Sequence, residues 1–171
     1  YQYAFKLDNG IISPNKGILL HGALGVGKST LIRGLRRFEG KINRNCFAFE
    51  NDDLGFGLTS AAEISLHYAQ KGMAAIAHYV NMKNLAIDEV GREPMESKHF
   101  GTNVNPVQLV LQLRYENRMK GVTHITTNLN PDTEFATYYD FYIVDRIKEM
   151  FNVIEITGES RRERNELQIK H

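Results

Sequence analysis

The fold is decided by one stretch, residues 17–38, which reads GILLHGALGVGKSTLIRGLRRF. It contains an apolar run that predicts a buried strand over residues 18–20, a loop that begins at Gly22, and a helix predicted over residues 28–38. The loop fits the pattern GxxxxGK(S/T), whose glycines let the backbone N–H groups curl around a polyphosphate without side-chain clashes. The N-terminus of the following helix adds donors and a partial positive charge. The stretch therefore predicts a phosphate-binding loop between a strand and a helix.

Two side chains at the start of this helix fit a nucleoside triphosphate carried with Mg²⁺. The Lys28 ammonium can neutralise the β- and γ-phosphates, and the Ser29 hydroxyl can ligate the metal. We therefore expect ATP and Mg²⁺ as the cofactors, whereas the alternative is an ordinary glycine-rich turn. The residues expected to bind the nucleotide are Gly22, Gly25, Val26, Gly27, Lys28, Ser29 and Thr30.

An acidic pair, Asp88–Glu89, follows the apolar run that begins at Leu85. Asp88 is expected to hold the metal directly or through water, because Mg²⁺ prefers oxygen ligands and keeps several waters. Glu89 is expected to polarise the attacking water as a general base. The alternative interpretation is a pair of acids that caps the turn after the strand.

A third polar position, Asn128, ends the run Thr126–Thr127–Asn128 after another apolar segment. If its strand lies between the other two site strands, the Asn128 amide can hydrogen-bond the γ-phosphate or the lytic water. The alternative is an Asx-turn before Pro131.

Short apolar runs alternate with helical patterns along the chain, which is typical of a parallel sheet covered by helices. Strands are predicted over residues 18–20, 46–49, 85–88, 122–127 and 153–157. Further helices are predicted over residues 61–70, behind a capping box at Ser60 and Glu63, over 73–82, between Asn105–Pro106 and a C-cap at Gly121, and over 143–151. Residues 91–104 are predicted to be an irregular loop. The fold class is α/β, a three-layer α/β/α P-loop NTPase sandwich around a five-stranded, mainly parallel sheet.

Composition restricts the other classes of protein. The chain has 171 residues, 42% of them hydrophobic and 24% charged, which suits one globular domain over residues 1–171. No apolar run approaches the roughly 20 residues that cross a bilayer. The single cysteine, Cys46, has no internal disulfide partner and is expected to be a small core residue in a reducing, cytoplasmic setting.

The net charge of +1 neither favours nor excludes a nucleic-acid partner, but basic residues cluster in two places. Both clusters could contact phosphate groups, and both could equally be solvated surface. They comprise Arg33, Arg36, Arg37, Lys41 and Arg44 after the loop, and Arg161, Arg162 and Arg164 near the end.

Taken in order, the motifs resemble the AAA+ ATPases of the DnaC helicase-loader and IstB transposition-helper type, over residues 16–162. The resemblance is carried by GVGKST, LAIDEVG, LRY, ITTNL, VDRIKEM and TGESRR. It implies that Asn128 is the sensor-1 residue and that Arg146 is the arginine finger, which reaches the γ-phosphate bound by a neighbouring subunit. The alternative for Arg146 is an arginine on the surface of an amphipathic helix, in i,i+3 contact with Glu149. Arg162 matches the end of the family's Gly-Glu-Ser-Tyr-Arg motif, although Arg161 stands where tyrosine is usual.

The resemblance also sets expectations for domains and function. Residues 158–171 are too few for the usual AAA+ helical lid, so we expect either that the protein lacks this lid, as DnaC-type loaders do, or that the sequence is truncated before it. The upstream partner-binding region of such loaders is also expected to be absent from this sequence. It implies an ATP-hydrolysing, DNA-associated ATPase that loads a replicative helicase, binds single-stranded DNA, forms a homo-oligomer with ATP and has no membrane association. The alternatives are a transposase-helper ATPase, a P-loop small-molecule kinase and a non-catalytic nucleotide-gated module. The Asp88–Glu89 pair favours transfer of the γ-phosphate to water over transfer to an acceptor hydroxyl, and so argues against the kinase.

Overall fold

The structure is a computed structural model, which describes residues 12–46, 55–99, 101–117 and 121–160. The strands are β1 (Gly17–His21), β2 (Gly57–Ser60), β3 (Leu85–Val90), β4 (Ser97–His99), β5 (Thr102–Val104), β6 (Thr123–Thr127) and β7 (Phe151–Glu155). The helices are α1 (Lys28–Cys46), α2 (Ala61–Lys71), α3 (Met73–Asn81), α4 (Pro106–Glu116), α5 (Phe135–Tyr138) and α6 (Phe141–Met150).

Five strands form one parallel sheet in the order β2-β3-β6-β1-β7. Successive residues of β1 point to opposite faces, and this alternation separates two cores. Ile18 and Leu20 pack with Ile32 of α1 on one face. Leu19 packs on the other face with residues of α2, α3, α4 and α6. The predicted three-layer α/β/α sandwich with a five-stranded parallel sheet is therefore confirmed.

The prediction of a strand over residues 46–49 is wrong at its first residue, because α1 continues through Cys46. Residues 47–49, and the side chain of Cys46, lie outside what the structure describes. A short apolar run cannot be assigned to strand or helix by periodicity alone. The second strand of the sheet is instead β2, a four-residue edge strand with one large apolar residue, Leu58.

Local N-capping signals place the starts of α2 and α4 correctly. The Ser60 hydroxyl accepts from the Glu63 N–H at 3.1 Å, and the Glu63 carboxylate accepts from the Ser60 N–H at 3.2 Å, which is the predicted capping box. Asn105 caps α4 with its side-chain oxygen. The C-cap prediction at Gly121 is wrong, because α4 ends at Glu116 with Asn117 as its cap.

The predicted irregular loop over residues 91–104 contains an antiparallel hairpin of β4 and β5. Its three-residue strands are too short to show a period in the sequence. The predicted last strand, residues 153–157, begins two residues earlier, at Phe151. Among the described residues, no helix is long and apolar enough to span a bilayer.

Candidate nucleotide-binding site

The loop between β1 and α1 has the backbone that the glycine pattern predicts. Gly22, Gly25 and Gly27 have φ values of 140°, 84° and 102°, a region that residues with a Cβ rarely adopt. Space is also short, since a Cβ on Gly22 would lie 2.2 Å from the Ile156 carbonyl oxygen and one on Gly25 would lie 2.4 Å from Ser160 Oγ. The segment after β7 therefore lies against the loop, and only glycine fits there.

Lys28 is buried at the first position of α1 and folds back onto the loop. Its Nζ donates to the carbonyl oxygens of Gly22 and Ala23, at 2.7 and 2.8 Å. Burial lowers the pKa of Lys28, while the negative charges of Asp88 and Glu89 act in the opposite direction. The ammonium is thus held in the loop by neutral acceptors that a more strongly charged ligand can replace.

Asp88 connects the helix of the loop to the centre of the sheet. Its buried carboxylate accepts hydrogen bonds from Ser29 Oγ, at 2.8 Å, and from Thr126 Oγ1 on the neighbouring strand β6. Arg33 Nη2 lies 3.7 Å from the second carboxylate oxygen. The two side chains predicted as metal ligands, Ser29 and Asp88, are therefore in direct contact.

Glu89 follows with an unusual backbone. Its φ is +60°, the one positive value for a non-glycine residue in the described part of the chain. Its N–H donates to Thr126 Oγ1 at 3.0 Å, and the pairing of β3 with β6 shifts register between Ile87 and Val90. Such an irregularity re-aims a side chain. The half-exposed carboxylate of Glu89 lines the cavity beside the loop and pairs with Arg92 Nη1 at 2.8 Å.

Asn128 lies directly after β6 and lines the same cavity. The alternative for this residue was an Asx-turn before Pro131. The structure gives that turn to Asn130, whose Oδ1 accepts from the Asp132 N–H at 2.9 Å. The hydroxyl of the neighbouring Thr127 makes hydrogen bonds within the protein. It donates to the Val90 carbonyl at 2.7 Å and accepts from the Leu129 N–H.

These elements enclose a cavity of about 260 Å³ at the carboxyl end of the sheet, where parallel α/β sheets bind their ligands. The lining residues are Leu24, Gly25, Gly27, Lys28, Ser29, Thr30, Glu89, Thr126, Thr127 and Asn128. Val26 was predicted to bind nucleotide, and because its side chain is buried at 5% exposure, its backbone is the part available to a ligand. Thr126 also lines the cavity and was missed as a site residue. Its only signal in the sequence is that it belongs to the polar pair Thr126–Thr127 before Asn128.

The oxygen atoms of Ser29 and Asp88 are of the kind that Mg²⁺ prefers. In the described part of the chain no group of three or more His, Cys, Asp or Glu residues could hold a metal by itself. A divalent cation beside Ser29 and Asp88 would therefore complete its coordination with water and phosphate oxygens, as Mg²⁺ commonly does.

Arg146 does not line this cavity. Its guanidinium carbon lies 5.2 Å from the ring centre of Tyr115 and 5.4 Å from that of Tyr142. Its Nη1 pairs with Asp145 at 3.0 Å and with Glu149 at 3.2 Å on the same helix. The contact with Glu149 expected for a residue on a helix surface is present, so any contribution of Arg146 to a nucleotide site requires a second copy of the chain. Arg161 and Arg162 lie outside the described residues.

The comparisons with known proteins agree with this architecture. DnaI is 21% identical with a TM-score of 0.60, over 94% of this chain and 79% of that chain. The DnaC helicase loader is 19% identical with a TM-score of 0.61, over 91% and 84%. The replication initiator DnaA bound to AMPPCP and single-stranded DNA is 16% identical with a TM-score of 0.53, over 91% and 45%. No protein-family model matches the sequence, and no curated protein matches it significantly. The chain therefore shares the fold of the DnaI and DnaC structures, as the motifs predicted.

Proposed function

We propose that this chain is an ATP-hydrolysing, DNA-associated ATPase that serves as a replicative helicase loader. The observation that carries the ATPase part is the contact between Ser29 Oγ and Asp88 at 2.8 Å, beside a cavity lined by Lys28, Glu89 and Asn128. It brings the two oxygen ligands of a metal, a cation for phosphate and a carboxylate for water to one place, which is the set that phosphoryl transfer to water needs.

Each side chain then has one role. The loop N–H groups and Lys28 bind the phosphates, with Lys28 exchanging its carbonyl acceptors for phosphate oxygens. Ser29 and Asp88 hold Mg²⁺, which supplies neutralisation of the developing charge when bound. Glu89 accepts the proton of the attacking water, and Asn128 orients that water or the γ-phosphate. The Glu89–Arg92 ion pair is exposed to solvent and therefore weak, so it leaves the carboxylate available.

The proposal includes a homo-oligomer in which a neighbouring copy of the chain completes the site. Among the described residues, Lys28 is the only cation that lines the cavity. The transition state of phosphoryl transfer spreads negative charge over the oxygens of the γ-phosphate, and a second cation stabilises it strongly. Arg146, on the surface helix α6, is the residue that we expect to supply this cation from a neighbouring copy.

Two observations support the part of the proposal in which the chain binds DNA and loads a helicase. The solved structures with this fold include a helicase loader and an initiator bound to AMPPCP and single-stranded DNA. In addition, α1 continues past Gly40, so Arg33, Arg37 and Lys41 share one exposed face at i,i+4 spacing. Arg36 does not belong to this face, because its Nε donates to the Phe56 carbonyl at 2.6 Å. Transposition helper remains the related alternative, and it differs in the protein partner alone.

The test is phosphate release from ATP, with and without single-stranded DNA, by the wild-type chain and by Glu89→Gln. The amide keeps the shape of the carboxylate but cannot accept a proton, so hydrolysis should fall by about 10²–10⁴ while ATP still binds. The control is Glu116→Gln, the same exchange at an exposed position of α4, which should match the wild type.

Three outcomes separate the readings. Hydrolysis that Glu89→Gln abolishes and DNA accelerates supports the loader. Phosphate transfer to a small acceptor without release of free phosphate indicates the kinase. Near-normal turnover of Glu89→Gln would remove the proposed base and overturn the mechanism. Co-purification of the wild-type chain with a replicative helicase, as opposed to a transposase, then decides the partner.

A further inference from the structure

A buried carboxylate lies four residues after the proposed base, on a segment that the nucleotide site does not use. Glu93 is 5% exposed, and burying a carboxylate is costly unless it receives hydrogen bonds. The described residues supply it with two donors. Its Oε2 accepts from the Gly91 N–H at 2.8 Å, and its Oε1 accepts from the Tyr139 hydroxyl.

The first of these donors belongs to the turn that carries Glu89. The Arg92 N–H donates to the Glu89 carbonyl at 3.2 Å, which closes the turn. Gly91 has a φ of 89°, and a Cβ there would lie 2.4 Å from the Leu129 side chain, so this position does not easily accept another residue. The Glu93 carboxylate thus fixes the exit of the turn, while Thr126 fixes its entrance at the Glu89 N–H.

The second donor belongs to a different part of the molecule. Tyr139 is buried at the end of α5, directly before Asp140, the N-cap of α6. Burial, and secondarily the Glu93 carboxylate, raise the pKa of Tyr139, so the phenol keeps its proton and remains a donor. Asp140 is in turn held by Gln108 of α4 through its N–H at 3.0 Å. The start of α6, the helix with Arg146, is therefore attached to the turn of Glu89 through one hydroxyl.

We propose that Glu93 and Tyr139 are a positioning pair, which sets the place of the Glu89 carboxylate by tying its turn to the start of α6. Neither residue lines the cavity beside the loop. The proposal rests on the role of Glu89 given above and adds that the base is placed by a contact that crosses to the proposed inter-subunit helix. A displacement of about 1 Å at a reacting group can cost on the order of 100-fold in rate, so a single hydroxyl can matter.

The test removes that hydroxyl with Tyr139→Phe, and the matched control is Tyr138→Phe, the same exchange one residue away on a half-buried ring. ATP affinity and the single-turnover rate of hydrolysis are measured separately. We expect Tyr139→Phe to lower the rate by roughly 10- to 100-fold, as does the loss of a hydrogen bond that orients a reacting group through another residue. Its dissociation constant for ATP should stay within about twofold, because only the step that uses Glu89 is affected.

A double-mutant cycle distinguishes positioning from general weakening of the fold. If Glu93 and Tyr139 act through Glu89, then Tyr139→Phe should cause no further loss in a Glu89→Gln chain. Glu93→Gln, in which one oxygen instead of two remains to accept from the Gly91 N–H and the Tyr139 hydroxyl, is the second variant and should also slow hydrolysis without weakening ATP binding. It replaces Tyr139→Phe if that chain does not fold.

Full hydrolysis in both variants, or losses that add to that of Glu89→Gln, would overturn the positioning role. A wild-type rate in Glu89→Gln itself would instead overturn the proposed function, and so the two failures are distinguishable. Equal loss in Tyr138→Phe and Tyr139→Phe would also count against the proposal, since it would show that the segment and not the hydroxyl matters.

Discussion

Strands β3 and β6 have a buried charge at each end, and the two charges are satisfied in different ways. At the amino end, the Arg114 guanidinium donates to Thr123 Oγ1 at 2.7 Å and to the carbonyls of Met82, Tyr79 and Val122 at 2.6, 2.9 and 2.9 Å. At the carboxyl end, Asp88 accepts from the hydroxyls of two neighbouring elements. Both side chains are buried, at 5% and 7% exposure.

The two ends differ in whether the protein itself satisfies all the hydrogen-bonding groups of the buried charges. Burial lowers the pKa of Arg114 to about 10, so it stays charged at neutral pH and stabilises the last carbonyls of α3, the negative end of a helix dipole. The protein itself supplies its acceptors. At the carboxyl end Lys28 uses loop carbonyls that a phosphate can replace, and Glu89 is half exposed. One end is therefore complete within the chain, while the other has capacity for a ligand.

The largest expected effect tests whether the carboxyl end is incomplete even with ATP bound. Arg146→Ala should lower hydrolysis by about 10³–10⁵, the range measured for arginine fingers in related NTPases. Mixing Arg146→Ala with Lys28→Ala chains should restore part of the activity, because one mixed interface joins an intact loop to an intact Arg146. The measurement is phosphate release as a function of mixing ratio and of total protein concentration.

Lys148→Ala is the control for that experiment, because Lys148 is an exposed cation on the same helix and pairs with Asp132. It should leave the rate unchanged. Full hydrolysis by Arg146→Ala, or a specific activity independent of concentration without recovery on mixing, would show that Arg146 is a surface residue of α6 and that the inter-subunit model is wrong.

The corresponding substitution at the amino end is Arg114→Met. It should lower the stability of the fold without a direct effect on ATP hydrolysis. The apolar side chain fills a similar volume but leaves several buried carbonyls without a donor, each costing about 1–3 kcal/mol. Removing the buried charge also removes its desolvation cost, which offsets part of this loss. We therefore expect the free energy of unfolding, measured by urea titration, to fall by about 3 kcal/mol or more, which is less than the sum over all the unpaired carbonyls.

Arg37→Met makes the same exchange on the exposed face of α1, where surface substitutions stay within about 0.5 kcal/mol. If the unfolding free energies of the two variants agree within 1 kcal/mol (roughly the error of two such titrations), the hydrogen bonds of Arg114 contribute nothing net and the contrast between the two ends fails.

Lys28→Ala is the counterpart at the carboxyl end and should affect binding and not folding. Water can reach the two loop carbonyls that Lys28 leaves, so the unfolding free energy should change by less than about 1 kcal/mol. The dissociation constant for ATP should rise about 10- to 100-fold or more, because a charged hydrogen bond is worth about 1.5–3 kcal/mol. Lys41→Ala, also on α1, should leave ATP affinity intact in the same titration.

The two ends also differ in how far the sequence predicts them. The loop, Asp88, Glu89 and Asn128 follow from local patterns, since each lies where a strand ends, and parallel strands bring those ends together. Arg114 was only part of a quoted motif, and its role depends on carbonyls 31 to 35 residues away in the chain. Local pattern carries no information about such a contact.

The same reasoning explains the other errors. The capping box at Ser60 and Glu63 is complete within four residues, and it was predicted correctly. The helix predicted to end at residue 38 continues to Cys46. Gly40 has a low helix propensity and therefore suggested an earlier end, but α1 continues through it. Thr126 and Glu93 were missed because their importance comes from neighbours on other elements, Asp88 and Tyr139.

The smallest expected effect concerns the exposed face of α1. Each phosphate contact with single-stranded DNA contributes about 0.7 to the slope of log affinity against log salt. Arg37→Ala should therefore reduce that slope by about 0.7–1 and weaken binding equally for all sequences. The measurement is fluorescence anisotropy with a labelled oligonucleotide, with ATP present, across a series of salt concentrations.

Lys83→Ala is the matched control from the amino end of the sheet, because Lys83 is exposed there, just before β3. Its slope should equal that of the wild type if DNA lies along α1. An equal reduction in both variants would mean that the charge of the whole molecule, and not this helix face, attracts the DNA. If the wild-type chain shows no binding at low salt with ATP present, the loader proposal loses its DNA partner, whereas the ATPase assignment, which rests on Ser29 and Asp88, is unaffected.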